Sequence, residues 1–242
     1  MSDGESSGPV DSLEIPVHAV VPAAGTGLRF GGEVPKQFRD LAGQPVLRWA
    51  VERLLAGGVT SVTVALSEEV LGSLPGWLRD APGVSCVAGG GTRQASVALA
   101  LAVSPAAADD LVLVHDGARP TLHRDDLLAV VGAAAAGGCD GAILGRSLAD
   151  TLKRVEDGWV LGTVARERLF RAETPQVFRR RTLERAFELA AADRFVGTDE
   201  ASVVERISGV RIAAVEARHP NPKVTTPADL LEVEALFRGV PR

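Results

Sequence analysis

The sequence predicts a single α/β domain, layered α/β/α, around a mostly parallel sheet. Short apolar runs typical of buried strands alternate along the chain with segments of helical periodicity. Loops of small residues follow several of these runs, as at the ligand-binding edge of such sheets. A length of 242 residues with 46% hydrophobic residues suffices for the core of one such domain.

The predicted elements follow from local patterns. The apolar run 17–23 is a buried strand, too short for a typical helix. The segment 45–56 has helical spacing, begins at a proline suited to the first turn and stops at Gly57 and Gly58. By the same criteria, further strands are predicted at 61–66, 84–88, 111–115, 141–144 and 210–215. Further helices are predicted at 92–103, 125–136, 182–192, from a cap at Thr198 to about 207, and at 227–237.

One segment departs from this alternation. Residues 151–164 contain two short strand-like runs around Asp157-Gly158, a hairpin turn signal, and no helix follows them. The pattern predicts a protruding β-hairpin arm at about 146–170. Residues 1–14 are polar and acidic and predict a disordered leader, so the domain is expected to span 15–240.

The loop after the first strand carries the first functional signal. Small residues from Ala23 to Gly27 allow close backbone approach to a ligand, and successive N–H groups there suit phosphate oxygens. Two cations, Arg29 and Lys36, follow. A dinucleotide fingerprint fails because position 30 is Phe, and a P-loop lacks its Gly-Lys-Ser/Thr. An ordinary strand-to-helix turn stays open as an alternative.

Other polar positions are predicted to meet this loop. Gly25, the glycines 89–91 and Asp116 each follow a predicted strand, and parallel strands bring their carboxyl ends to one edge. Asp116 suits Mg²⁺ held together with a triphosphate, or alternatively an ion pair with Arg119. His115, at the end of the same strand, is interpreted as a structural residue.

Eight sequence blocks together resemble the 2-C-methyl-D-erythritol 4-phosphate cytidylyltransferases, nucleotidyltransferases of the non-mevalonate isoprenoid pathway. They occur in that family's order from about 17 to 237. The blocks are PAAGTGLRFG (22–31), PKQF (35–38), GGGTRQASV (89–97), VHDGARP (114–120), DTLK (150–153), TPQ (174–176), TDEA (198–201) and KVT (223–225).

The resemblance implies a Rossmann-like nucleotidyltransferase fold and transfer of CMP from CTP to 2-C-methyl-D-erythritol 4-phosphate. A cytidylyltransferase for another polyol phosphate, such as ribitol 5-phosphate, shares most of these motifs and stays open. The implied cofactor is Mg²⁺, and the implied assembly is a homodimer that exchanges its arms.

The resemblance also implies roles for individual residues. The residues implied in catalysis are Arg29, Lys36, Arg166 and Lys223. Those implied in CTP binding are Pro22, Ala23, Ala24, Gly25, Thr26, Gly27, Gly90, Gly91 and Ser96. Those implied in acceptor binding are Asp116, Arg119, Thr151, Arg166 and Lys223, with Asp116 as the metal ligand. Position 220, often acidic in the family, is Pro here, which places more of the metal's coordination on Asp116.

The composition of the chain limits the kinds of partner and the cellular compartment that are expected for it. A net charge of −5 argues against a nucleic-acid surface, and no apolar run approaches the roughly 20 residues of a membrane span. Cys86 and Cys139 each lie in an apolar stretch, which favours thiols over a disulfide and predicts a cytoplasmic protein. Only Lys36, Lys153 and Lys223 are lysine among 26 basic residues, which suggests a need for a compact charge at those places.

Overall fold

A seven-stranded sheet forms the middle layer of the fold. The computed structural model describes residue 13 and residues 15–25 and 34–238. In these ranges the strands are β1 Val17–Pro22, β2 Asp40–Leu41, β3 Gln44–Pro45, β4 Ser61–Leu66, β5 Val84–Ala88, β6 Leu111–Val114, β7 Gly141–Ser147, β8 Leu152–Glu156, β9 Trp159–Val164, β10 Phe170–Arg179 and β11 Ile212–Glu216.

The helices alternate with these strands. They are α1 Val46–Ala56, α2 Glu68–Gly72, α3 Gly76–Arg79, α4 Arg93–Val103, α5 Arg124–Ala135, α6 Arg180–Ala192, α7 Glu200–Val204 and α8 Pro227–Arg238, with a 3-10 turn at Lys36–Phe38. Among the described residues, no helix combines the length and the apolar character that crossing a membrane requires.

The strand order of the main sheet is β11-β7-β10-β6-β1-β4-β5. All neighbours pair in parallel except β10, which runs antiparallel to both β6 and β7. The predicted mostly parallel sheet is therefore confirmed. Strand β10 itself was missed, because its register shifts between Ala172 and Gln176 and it buries polar residues where an apolar run would signal a strand.

Helices cover both faces of the sheet, as the layered prediction requires. Alternate strand residues belong to two separate cores: Leu111 and Leu113 pack on one face, and Val112 and Val114 on the other. The first core also takes buried residues of α1 and α5, and the second takes those of α4, α6 and α7. This period of two is what a strand buried on both faces produces.

Most predicted elements agree with the structure to within one to three residues at their ends, but the predicted cap at Thr198 is wrong. Asp199 caps α7 by accepting a hydrogen bond from the backbone N–H of Ser202 at 2.9 Å, and the helix ends at Val204, well before residue 207. The Asp199 carboxylate also accepts a hydrogen bond from Gln176 at 2.8 Å, which fixes it in the capping position. Two short helices, α2 and α3, were not predicted.

The predicted hairpin is present as β8 and β9, which form a two-stranded sheet of their own between β7 and β10. Its apolar side chains are exposed: Trp159 at 77% and Leu161 at 56%. Such a patch on a narrow hairpin is typical of a contact surface. The two cysteines are free thiols of intermediate burial.

Candidate active site

One cavity of about 650 Å³ lies at the carboxyl ends of β1, β5 and β6, a volume ordinary for small-molecule sites. The loops after these three strands supply most of its wall, and the segments before α1 and α8 supply the rest. The residues lining it are Pro22, Ala23, Ala24, Gly25, Lys36, Gln37, Gly90, Gly91, Thr92, Arg93, Ser96, Asp116, Gly117, Ala118, Lys223 and Thr225.

The structure brings most of the predicted site residues together here. Seven residues predicted to bind CTP line the cavity with Lys36, Asp116 and Lys223; the seven are Pro22, Ala23, Ala24, Gly25, Gly90, Gly91 and Ser96. The predictions for Thr26, Gly27 and Arg29 fall outside the described residues. Three described residues, Arg119, Thr151 and Arg166, do not line the cavity within this chain.

Side chains from neighbouring segments fix the two small-residue loops. The buried Gln37 donates from Nε2 to the carbonyls of Ala23 and Gly25, at 2.7 and 3.1 Å. Ser96 accepts from the Gly90 N–H at 3.1 Å. A Cβ on Gly89 would stand 2.3 Å from the Cβ of Ala24, so only glycine allows the loops this close approach. Hydrogen bonds and close packing therefore hold the described parts of both loops in place.

A buried ionic network underlies the cavity. Arg93, the first residue of α4, makes a fork to Glu200 through Nη1 and Nη2 at 2.7 and 2.9 Å. Its Nε donates to Asp116 Oδ1 at 2.9 Å. The Glu200 side chain is only 1% exposed. Among the described residues, its only cation partner is the guanidinium of Arg93. The bidentate geometry is that of a strong charge-assisted pair.

Asp116 is surrounded by positive charge. Besides Arg93, Lys223 Nζ lies 2.8 Å from its Oδ2 and Arg119 Nε lies 3.6 Å away. Burial alone would raise the pKa of Asp116, but Arg93, Lys223 and Arg119 together hold it well below its usual range. For Glu200, burial raises the pKa, and Arg93 opposes that shift. Asp116 is thus ionised, with both oxygens already facing cations.

The two cavity lysines are held by different partners. Lys36 Nζ donates to the carbonyl of Val224 at 3.0 Å, and Lys223 is ion-paired with Asp116. Lys36 is therefore bound to the segment 223–225, and Lys223 is part of that segment. The third lysine, Lys153, lies on the arm and donates to Thr163.

His115 has the structural role that was predicted for it. It is fully buried, its Nε2–H donates to the carbonyl of Arg119 at 3.0 Å, and its Nδ1 accepts from the hydroxyl of Thr174 at 3.1 Å. Burial lowers its pKa to about 4, so the ring is neutral at pH 7. The Thr174 hydroxyl in turn accepts from the Asp116 N–H at 3.0 Å, which orients the start of the Asp116 loop.

Arg119, which is predicted from the sequence to bind the acceptor, does not line the cavity within this chain but contacts residues next to it. Its Nη1 donates to the carbonyl of Asn221 at 2.5 Å and lies 3.8 Å from Glu173. It therefore ties the Asp116 loop to the Lys223 segment. Sequence reasoning also missed Gln37, Arg93 and Glu200, although all three stand inside the family blocks; a lone polar residue in a block gives no sign of its partner.

Small-residue loops, two lysines and a carboxylate surround one cavity at the carboxyl edge of a mostly parallel sheet, where α/β proteins bind their ligands, and this arrangement fits the nucleotidyltransferase class that the sequence predicts. A family model described as "2-C-methyl-D-erythritol 4-phosphate cytidylyltransferase" matches residues 17–239. Curated relatives of that name are 47% identical over 90% of this chain and 83% of their own in Xanthomonas campestris pv. campestris (strain 8004), and 45% identical over 92% and 97% in Xylella fastidiosa (strain M23). The chain belongs to the 2-C-methyl-D-erythritol 4-phosphate cytidylyltransferase family.

Solved structures agree with this assignment. The chain is similar to the Francisella tularensis 2-C-methyl-D-erythritol 4-phosphate cytidylyltransferase, with a TM-score of 0.77, 30% identity and coverage of 91% of this chain and 99% of that one. It is equally similar to the enzyme of the same name from Thermus thermophilus, with a TM-score of 0.77, 32% identity and coverage of 93% and 100%. The predicted fold class and the predicted family are both confirmed.

Proposed function

We propose that this enzyme transfers the cytidylyl group of CTP to 2-C-methyl-D-erythritol 4-phosphate, giving 4-diphosphocytidyl-2-C-methyl-D-erythritol and pyrophosphate. The observation that carries the proposal is the cavity that gathers Lys36, Asp116 and Lys223 between two small-residue loops, in a chain matched almost throughout by that family. A cytidylyltransferase for ribitol 5-phosphate is not favoured, because every relative described above is named for the methylerythritol substrate.

The proposed chemistry needs positioning and charge stabilisation more than covalent help. An oxygen of the acceptor's phosphate attacks the α-phosphorus of CTP, and the bond from that phosphorus to the leaving pyrophosphate breaks. Lys36 lines the cavity with Gly25 and would stabilise the negative charge on the α-phosphoryl group, a role that the sequence also predicts for Arg29. Lys223 would position the acceptor phosphate. Fixed cations of this kind act without reorganisation during the reaction.

The choice of cytosine would rest on the narrow loops. Ala24 and Gly89 approach each other closely, and Gly90 and Gly91 line the cavity without side chains, so their main-chain groups would be available to read a pyrimidine. Ser96 is committed to holding that loop, since its hydroxyl bonds to Gly90 and Thr92, so its contribution to base recognition would be indirect.

Asp116 fits a shared Mg²⁺ site. It is the only carboxylate among the described residues lining the cavity, and Mg²⁺ commonly binds one carboxylate together with substrate phosphates. When bound, the ion would neutralise charge on the triphosphate. Lys223 and Arg93 are both ion-paired with the Asp116 carboxylate. When the substrates bind, the ammonium group of Lys223 would move from Asp116 to a substrate phosphate.

We further propose a cytoplasmic homodimer whose arms complete each other's sites. Thr151 and Arg166 are exposed, lie at the two ends of the hairpin and do not line the cavity of their own chain. The exposed apolar side chains of the arm, Trp159 and Leu161 among them, suit burial against a second copy. Each arm would then carry Thr151 and Arg166 to the partner's acceptor site.

Pyrophosphate release tests the reaction. The enzyme is incubated with Mg²⁺ and either CTP or ATP, and with methylerythritol 4-phosphate or ribitol 5-phosphate as the acceptor. We expect turnover with CTP and methylerythritol 4-phosphate and far less in the other combinations, and Lys36→Ala serves as the inactive control. Equal kcat/KM for CTP and ATP would refute the base assignment, and preference for ribitol 5-phosphate would replace the acceptor.

Mixing two inactive variants tests the shared site. Arg166→Ala and Lys36→Ala are combined, and subunit exchange is verified by mass spectrometry of differently labelled chains. A heterodimer contains one site in which both residues are intact, so part of the activity should return. Exchange without recovery would mean that Arg166 serves its own subunit or no site.

A further inference from the structure

A cluster of two histidines and an aspartate at the start of α5 has no part in the proposed reaction. One possible donor atom from each of His123, Asp125 and His219 lies within 4.8 Å of the others. His123 and Asp125 stand at the start of α5, and His219 lies between β11 and α8. The two imidazole rings are stacked, with centroids 3.6 Å apart and planes 20° apart. Nothing in cytidylyl transfer uses these residues.

A buried carboxylate orients one of these histidines. The side chain of Asp126 is 1% exposed and accepts hydrogen bonds from the N–H groups of Arg218 and His219, at 2.8 and 3.0 Å. It also lies 3.3 Å from Nδ1 of His219, so this nitrogen carries the proton and Nε2 is left as a free acceptor. Metal-binding histidines are held by carboxylates in this way.

We propose that His123, Asp125 and His219 bind a divalent transition-metal ion of the zinc class. Two imidazoles with one carboxylate favour Zn²⁺, Co²⁺ or Ni²⁺ over Mg²⁺, which prefers oxygen ligands only. The three side chains are 44%, 58% and 36% exposed, so water completes the coordination and the ion has an open route. The two rings lie nearly face to face, so binding one ion through both requires the more exposed His123 ring to rotate.

The position of the site gives it a structural role. His123 follows the loop that carries Asp116, and His219 begins the segment that carries Lys223. The same two segments also meet at their other ends, where Asp116 and Lys223 form an ion pair at 2.8 Å in the cavity. A metal that links His123 to His219 would therefore clamp these segments from behind and limit how far Lys223 can move from Asp116.

Calorimetric titration with ZnCl₂ in excess MgCl₂ tests the site on the full chain. We expect one ion per chain, lost in His219→Gln and in His123→Asn, where asparagine keeps an acceptor for the start of α5. Asp126→Asn should weaken Zn²⁺ binding by about 10–100-fold. Two controls should bind as the parent does: Asp109→Asn removes an exposed carboxylate elsewhere, and Asp116→Asn removes the carboxylate of the cavity.

Thermal unfolding gives a readout independent of activity. Zn²⁺ at a hundredfold excess over its Kd should raise the Tm of the parent by about 5–10 °C and leave the Tm of His219→Gln unchanged. The Tm of each variant without metal shows that it is folded. No binding heat in the parent, or binding that survives in both histidine variants or disappears in Asp116→Asn, would overturn the proposal.

Discussion

Glu200→Gln is the most informative single change, because it removes one charge from the network beneath the cavity and changes no volume. Glutamine keeps one acceptor oxygen for Arg93 but replaces the other with an amide. Arg93 then faces only one carboxylate, that of Asp116 at 2.9 Å. We expect both the stability of the fold and the geometry of Asp116 to suffer, since Asp116 and Glu200 share the same guanidinium.

The expected loss of stability follows from burial. Removing one partner of a buried ion pair typically costs about 3–5 kcal/mol. The Arg93 side chain is 27% exposed toward the cavity and retains Asp116, so the lower end applies, about 3 kcal/mol. For a chain of this length, each kcal/mol lowers Tm by about 2–4 °C, so we expect a fall of about 6–12 °C.

Urea unfolding at fixed chain concentration, followed by circular dichroism, measures this loss. The matched control is Glu205→Gln, an exposed glutamate just beyond the same helix, which should change the free energy of unfolding by less than about 0.5 kcal/mol. In a double-mutant cycle, Arg93→Gln added to Glu200→Gln should cost less than the sum of the single changes. Additive costs, or a loss below about 1 kcal/mol for Glu200→Gln, would refute the view that the pair supports the cavity.

Two further predictions concern catalysis and acid stability. Lys36→Ala should lower kcat by about 10²–10³ with a smaller effect on the KM for CTP; unchanged kcat with a raised KM would indicate ground-state binding instead. His115 has a folded-state pKa of about 4, below its ordinary value of 6.5, so the unfolded chain binds the extra proton between these values. Its contribution is complete above pH 6.5 and falls by about 3 kcal/mol as the pH drops to 4, which urea unfolding across that range should show and His115→Asn should flatten. An unchanged slope in His115→Asn would show that other groups cause the acid sensitivity.

The parts of the fold that the sequence predicts are those whose signal is local. Strands such as β4 and β6 are short apolar runs, and α1 is marked by a proline at its start and glycines after its end, so neighbouring residues alone identify them. Strand β10 has no such signal. Its polar residues Glu173 and Gln176 are buried beside partners outside the strand: Arg146 lies 3.6 Å from Glu173, and Gln176 donates to Asp199.

The same distinction holds for the site. Loops of small residues at Gly25 and Gly90 could be predicted to meet, because the topology of a parallel sheet brings strand ends together. The pairing of Arg93 with Glu200 could not, because the two residues are 107 positions apart and join through helices on the same face of the sheet. Arg119 is a motif residue whose contact with the backbone of Asn221, 102 positions away, could not be predicted from the sequence either.

The reversed strand β10 decides where the arm leaves the sheet. A parallel successor to β7 would have required the chain to cross back to the opposite edge before re-entering, and the connection would have been a helix on one face. Because β10 runs the other way, β7 ends and β10 begins at one edge, the edge that also carries the cavity. Any residues inserted between these two strands therefore leave the sheet at that edge, and their length and sequence can change while the sheet pairing stays the same.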